Sequence, residues 1–371
     1  MRSVALDLGK KIYCCEVKNG KVVERRTARE LKELLSFLGP NTPPARVAIE
    51  ACREAWFVEG ELRSWGKEPV LVDTTRSKQL GIGQHGRKTD RIDAEVLARG
   101  LERGLVPEAH LLSPHRQQLR YQLGVRRMLV ETRAHYITAI RGLARAHGVR
   151  LKACHSPTFV RSLRAAELGE DLRELVTPMA CIVEQLDIQI LQAENKVEFL
   201  SNQEPAIARL MTVPGVGRLV AATLVSVIDH PWRFSHAHEV ESYLGLVPSE
   251  DTSGQRRLGG ITKHGNRYLR VMLVQAGWSI LRFKQSEDPL MRWGQAVAAR
   301  RSKKIAVVAL ARRIAGIAWA VWRDGTVYEP SRIGVASARG IRGQSRQLLL
   351  QSRAIARSAH EVAQQTWAIN R

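Results

Sequence analysis

The dipeptide Asn19-Gly20 lies between two short apolar runs, Ile12 to Val17 and Val22-Val23, and no other feature constrains the fold of this chain as tightly. Asn-Gly accepts left-handed backbone at both central positions of a two-residue turn, so the flanking runs close as a β-hairpin. An earlier apolar run, Val4 to Leu8, ends in Asp-Leu-Gly and supplies another strand. The chain therefore opens with three antiparallel strands.

Thr27 to Leu38 has helical periodicity and stops at Gly39-Pro40, and Arg46 to Glu50 (RVAIE) is a short apolar strand ending in a carboxylate. Glu54 to Trp65 reads as a helix, Pro69 to Val72 as a strand, and Thr89 to Leu105 as a helix with Thr89 as its N-cap. The order β-β-β-α-β-α-β-α is that of a ribonuclease-H-like α/β layer fold, expected over residues 1–108. From 109 to 205 the pattern is helical and rich in arginine. Cys181 to Phe199 repeats apolar residues at near-heptad spacing, which predicts an antiparallel helical pair, either an ordinary hairpin or a dimerising coiled-coil arm. Residues 206–325 read as a mainly helical third domain. There Pro214-Gly215-Val216-Gly217 between two apolar helices has the form of a helix-hairpin-helix, in which Gly215 and Gly217 would let backbone N–H groups approach a DNA phosphate. A polar loop (SEDTSGQRRLGG), a helix from Val271 to Phe283 and a basic helix from Arg300 to Arg323 follow. Residues 326–371 form a basic tail, from Ser331 onward carrying seven arginines against the single acid Glu361, and are expected to fold only conditionally.

Charge narrows the function. With 58 Lys and Arg against 36 Asp and Glu the formal net charge is +22, a field whose commonest use is attraction to nucleic acid. No apolar run long enough to span a bilayer and no hydrophobic signal core are apparent, so the expected location is cytoplasmic, with no membrane partner. The five cysteines, scattered and without C-x-x-C spacing, indicate neither a disulfide framework nor a zinc site.

Against that positive background, GQHGRKTDRIDAE at 83–95 sets Asp90 and Asp93 at i, i+3 on one helical face, where they repel unless a cation lies between them. In the expected topology Asp7 on the first strand and Glu50 at the end of the fourth meet the same helix. Four carboxylates in one cleft suit Mg²⁺ or Mn²⁺, hard ions that bridge phosphate oxygens, and two such ions can stabilise both attacking and leaving oxygens in phosphoryl transfer. Arg87, Lys88 and Arg91 stand beside them to hold a phosphate backbone. A further basic group, Arg256, Arg257, Lys263, His264 and Arg267, follows Ser253; His264 is open to roles as a base or as a phosphate or structural contact.

ALDLGK around Asp7, AIEAC around Glu50, GRKTDRIDAE around Asp90 and Asp93, VPGVGRLVAATL, and GLVPSEDTSGQRRLGGITKHGNRYLR occur in this order between residues 4 and 282. In this the chain resembles IS110-family transposases, the group that includes the IS1111-type elements. The resemblance implies a RuvC-like domain whose Asp-Glu-Asp-Asp set matches Asp7, Glu50, Asp90 and Asp93. It further implies a C-terminal transposase domain with Ser253 as nucleophile, a structured bridge RNA as guide, and assemblies of several subunits, dimers or tetramers. By itself a serine in a polar loop is a weak nucleophile that needs a base, a metal or a cationic clamp, and beside Gly254 it equally reads as a turn-former.

Three other readings compete. Leu6-Asp7-Leu8-Gly9 before a hairpin also resembles the first phosphate loop of actin-like ATPases and sugar kinases, but no second glycine-rich phosphate loop follows. A junction-resolving nuclease would use the four acids with water as nucleophile. A non-enzymatic nucleic-acid-binding protein would use the arginines and leave the acids idle.

Overall fold

The computed structural model describes residues 1–74, 76, 90–251, 257–282 and 287–332. It divides into two units, Met1–Leu111 and Leu112–Arg371.

In the first unit β1 (Arg2–Leu8), β2 (Ile12–Lys18) and β3 (Lys21–Ala28) form an antiparallel meander. Asn19 and Gly20 both adopt positive φ, 52° and 71°, as the hairpin signal requires. A 3₁₀ turn, Leu31–Leu34, runs into a single helical turn, α1 (Leu35–Leu38). The helix expected from Thr27 is therefore shorter: Thr27 and Ala28 continue β3 by pairing with Tyr13 and Ile12, and ladder pairing outweighs local periodicity. Next come β4 (Ala45–Glu50), α2 (Ala55–Ser64), β5 (Glu68–Val72) and α3 (Asp90–Glu102). The sheet order is β3-β2-β1-β4-β5, with β4 parallel to both β1 and β5. Side chains alternate between its faces. Val4, Leu6, Val47 and Ile49 join Leu34, Phe37, Leu38, Val58 and Leu62 on one face. Ala5, Cys15, Ala48, Val70 and Val72 join Ala94, Leu97, Ala98 and Leu101 of α3 on the other.

The second unit begins with α4 (Pro114–Ala146), followed by α5 (Phe159–Arg164) and α6 (Glu170–Asn202). α4 and α6 run antiparallel, as the ion pairs Arg126–Glu194 (2.6 Å) and Arg133–Asp187 (2.5 Å) show. The buried positions Val183, Ile190, Ala193, Val197 and Leu200 have the expected near-heptad spacing. Then come α7 (Pro205–Leu210), α8 (Arg218–Ile228), α9 (Ala237–Tyr243), the hairpin β6 (Pro248–Asp251) and β7 (Arg257–Ile261), α10 (Arg267–Arg282), α11 (Pro289–Arg300) and α12 (Lys303–Asp324). The polar segment expected as a loop thus carries two strands. The basic helix expected at Arg300 to Arg323 is α12, which starts three residues later because Ser302 caps it by accepting the Ile305 N–H.

α12 corrects another expectation. It has 22 residues with mean hydropathy 1.6, long and apolar enough to cross a membrane, yet most of that stretch is buried inside the protein. Leu310, Ala311, Ile314, Ala315, Ala318 and Trp319 share one core with residues of α7, α9, α10 and α11, the helices that pack on α12, so its hydropathy is that of a central core helix. The basic tail falls on 333–371, outside the described residues.

Candidate active site

The strand register places the carboxylates of the first unit. Asp7 lies two residues beyond Ala5, and Glu50 two beyond Ala48; both alanines face α3. Cross-strand partners share a face, and Asp7 pairs with Tyr13 while Glu50 pairs with Val72, both packed in the α3-side core. Asp7 and Glu50 therefore end adjacent parallel strands on the face that α3 covers. On α3, Asp93 is 5% exposed and immediately precedes the core residue Ala94. Asp90 is the first residue of the same helix.

α3 is fastened to the meander. Glu95 accepts hydrogen bonds from Arg99 (2.7 Å) and from Arg25, Arg99 also donates to the Gly20 carbonyl, and Glu102 accepts the Gly20 N–H at 2.9 Å. Burial disfavours charge on Glu95, but the bonds from Arg99 and Arg25 outweigh it and hold the carboxyl below its ordinary range. Sequence reasoning does not find this clamp, since Arg25 and Glu95 are 70 positions apart and no spacing links them.

Asp7, Glu50 and Asp93 bring only oxygen donors, the chemistry that Mg²⁺ or Mn²⁺ takes, and the backbone directs them to one side of the sheet. Among the described residues, however, no three His, Cys, Asp or Glu side chains stand close enough to hold a metal ion; the Asp90 side chain lies outside that description. Arg91 is exposed on α3, while Arg87 and Lys88 lie outside the described residues.

A separate group of candidate residues, in the second unit, surrounds the β6–β7 hairpin. Ser253 and Arg256 lie outside the described residues, between Asp251 and Arg257, which pair at the end of the ladder. Ser249 donates its hydroxyl to the Gly260 carbonyl at 3.1 Å and lines the surface of Gly259, where a Cβ would stand 2.5 Å from its Oγ. Beyond β7, Lys263 has φ 61° and Gly265 φ 69°, which turns exposed Lys263 and His264 over the Tyr243–Gly245 segment. The approach is too close for side chains: a Cβ on Gly265 would meet the Tyr243 carbonyl oxygen at 2.1 Å, and one on Gly245 the His264 N and O at 2.3 Å. Arg270 locks the turn by donating to the carbonyls of Leu244 (3.1 Å) and His264, and burial lowers its pKa. Asn266 caps α10 through the Leu269 N–H, and Arg267 begins that helix, exposed. Arg270, Gly245 and Gly265 carry no assignment from sequence; a Gly in each of LGL and KHGN is the available signal.

Gly215 has a structural duty. Its φ is 77°, and a Cβ there would stand 2.7 Å from the Ala276 carbonyl oxygen, so the turn before α8 presses on α10. Gly217, the N-cap of α8, is exposed with open space around it.

Residues 207–291 match the family described as "Transposase IS116/IS110/IS902 family", and residues 4–147 match that of the IS110-type DEDD transposase. A probable family 20 transposase of Pseudomonas aeruginosa is 28% identical over 341 residues, covering 88% of this chain and 98% of its own. The transposase for insertion sequence element IS1328 of Yersinia enterocolitica is 25% identical, with coverage of 88% and 98%. The transposase for insertion sequence element IS1111A of Coxiella burnetii is 28% identical, with coverage of 86% and 89%. One family match covers the carboxylate-bearing sheet and runs on through α4, the other covers the stretch that holds the β6–β7 hairpin, and relatives align along nearly the whole length: the chain belongs to the IS110 family of transposases.

Proposed function

We propose that this transposase cuts and rejoins DNA through a covalent phosphoserine intermediate on Ser253, assisted by a divalent ion at Asp7, Glu50, Asp90 and Asp93, and guided by a bridge RNA encoded by its element. The observation that carries the reading is the shared face of Asp7 and Glu50 at the ends of β1 and β4, beneath the helix that bears Asp90 and Asp93. Mg²⁺ or Mn²⁺ held by these carboxylates supplies positive charge to phosphate oxygens.

The remaining chemistry belongs to the chain. Arg87, Lys88 and Arg91 hold the DNA backbone beside the acids, while Arg256, Arg257, Lys263, His264 and Arg267 hold it beside the serine. The Ser253 hydroxyl loses its proton as its oxygen attacks phosphorus; the bond from phosphorus to a deoxyribose oxygen breaks, and that oxygen leaves with a proton. A deoxyribose hydroxyl from the exchanged strand then attacks the phosphoserine, restoring the backbone and returning the proton to serine. One phosphoester is exchanged for another, so no external energy source is consumed. Gly217 at the start of α8 adds backbone N–H groups toward phosphate; for Gly215, contact with α10 already accounts for the residue. The working form is a homo-oligomer, a dimer or tetramer.

Ser253→Ala on a cleavable DNA substrate tests the nucleophile. Wild type should give an adduct that survives denaturation, and the variant none; an adduct in the variant would exclude this role. Wild type that nicks without any adduct would favour water as nucleophile. Asp7→Asn and Asp93→Asn should abolish cleavage yet keep nucleic-acid retention, since removing negative charge does not weaken phosphate binding. Joint loss of retention and cleavage would mean that these acids mainly hold the fold.

A further inference from the structure

The far end of the α4–α6 hairpin has an unusual charge balance. Between Ala134 and Ala166 there are six Lys and Arg and no Asp or Glu. Lower on the hairpin the arginines are neutralised: Arg126 by Glu194, Arg127 by Glu131, Arg133 by Asp187. At the tip only Arg164 has such a partner among the described residues, Glu184. Arg145, Arg150, Lys152 and Arg161 are exposed and make no ion pair among the described residues.

These cations do not sit on a floppy end. A separate core of Ile137, Ile140, Ala144, Phe159, Val160, Leu163, Leu172, Val176 and Val183 underlies the tip. α4 ends there with Gly148 at φ 77°, the Val149 N–H reaching back to the Ala144 carbonyl at 2.8 Å. Arg141 is oriented by the Lys152 carbonyl (3.3 Å), Cys154 Sγ (3.6 Å) and the Phe159 ring (5.3 Å). The result is a cavity of about 710 Å³ lined by Arg141, Arg145, Gly148, Arg150 and Leu151. Three guanidinium groups around one recess, with no carboxylate among its described lining residues, repel one another until an anion enters, and the planar fork of arginine matches phosphate oxygens.

We infer that the hairpin tip is a phosphate-binding site for a nucleic-acid backbone, in which Arg145 and Arg150 grip a phosphodiester and Arg141 orients the recess. The inference rests on the nucleic-acid function proposed above and adds a contact remote in sequence from both groups of candidate active-site residues.

The test measures affinity of the full chain for a labelled DNA duplex and a labelled single-stranded RNA across a salt series. Removing two phosphate contacts in Arg145→Gln/Arg150→Gln should reduce the slope of log affinity against log salt by about 1.8 on duplex DNA or about 1.4 on single-stranded RNA. Between about 50 and 200 mM salt the variant should then lose roughly tenfold less affinity than wild type. Arg145→Lys/Arg150→Lys should restore most of the slope. The probe whose slope changes identifies the source of the phosphate. Unchanged slopes on both probes overturn the tip site while leaving the transposase reading intact. An equal change in the charge-matched Lys18→Gln/Lys21→Gln control also overturns it, since the whole-protein field would then be responsible. Wild type that binds neither probe overturns both readings.

Discussion

Replacing Gly245 by alanine should damage the turn beside the β6–β7 hairpin far more than the loss of a glycine normally does. Two costs add. Gly245 has φ 66°, and left-handed backbone costs a residue with a Cβ roughly 1 kcal/mol or more. The new methyl would lie 2.3 Å from both N and O of His264 and 2.8 Å from the Lys263 carbonyl carbon, where ordinary contact begins at 3.4 Å. Backbone atoms must therefore shift by about 1 Å, an overpacking that costs roughly 1–3 kcal/mol. The sum is about 2–5 kcal/mol. Two other glycines of the same unit calibrate it. Gly325 has φ 65°, but a methyl there would meet no atom within 4 Å, so Gly325→Ala should cost only the dihedral term, about 1 kcal/mol. Gly124 is exposed inside α4 with open space around it, and Gly124→Ala should stabilise by roughly 0.5–1 kcal/mol. Denaturant midpoints of the three variants should fall in that order around wild type. DNA cleavage by Gly245→Ala, assayed well below its own midpoint, should also be lost, because Lys263 and His264 move with the displaced backbone. If Gly245→Ala and Gly325→Ala prove equally destabilising, the close approach is not what selects glycine at 245.

Three further outcomes follow from the packing. Trp319 is 2% exposed and donates its indole N–H to the Pro231 carbonyl at 2.8 Å; Trp319→Phe should cost about 2–4 kcal/mol by thermal or chemical unfolding, from the unpaired carbonyl and lost volume together. Arg116 joins Glu204 (2.5 Å) and lies 4.0 Å from Asp229, with all three side chains less than 15% exposed; Arg116→Met leaves both acids without that cation and should cost roughly 3–5 kcal/mol. Glu95→Gln should cost about 1 kcal/mol or less at pH 7, since water screens the partly exposed clamp. Because the folded Glu95 carboxyl lies below its ordinary value of 4.5, its contribution is complete above that value and fades as pH falls through it. Midpoints of wild type and variant should therefore converge in acid below that value, and a gap that widens in acid would contradict the clamp.

Much of the first unit is legible in sequence because its signals are local. Asn19-Gly20 forces a hairpin, and RVAIE ends with Glu50 at the strand terminus. The errors also have local causes. Thr27 and Ala28 fit a helix pattern until β2 supplies hydrogen-bond partners. β7 (RLGGI) has two glycines, which depress strand propensity, and its Gly259 is explained only by the opposite Ser249. The break between α11 and α12 is readable in Ser302, as is the start of α11 in Asp288-Pro289, whose carboxylate caps Leu290. At the candidate site, sequence spacing reveals that Asp90 and Asp93 share α3, but only strand register shows that Asp7 and Glu50 face it. Arg25, Arg270 and Gly245 act through partners distant in the chain or through backbone contact, which periodicity does not register.

The burial of α12 also bears on when this enzyme becomes competent. Leu210, Val240, Leu269, Leu273 and Leu290, on α7, α9, α10 and α11, are all made before residues 303–324 yet belong to elements that pack on them. Met1–Leu111 has cores of its own and can close early in synthesis. The unit that carries Ser253 must wait for residues 303–324, and a product terminated before Ile305 would present a large greasy surface to chaperones and proteases instead of acting on DNA.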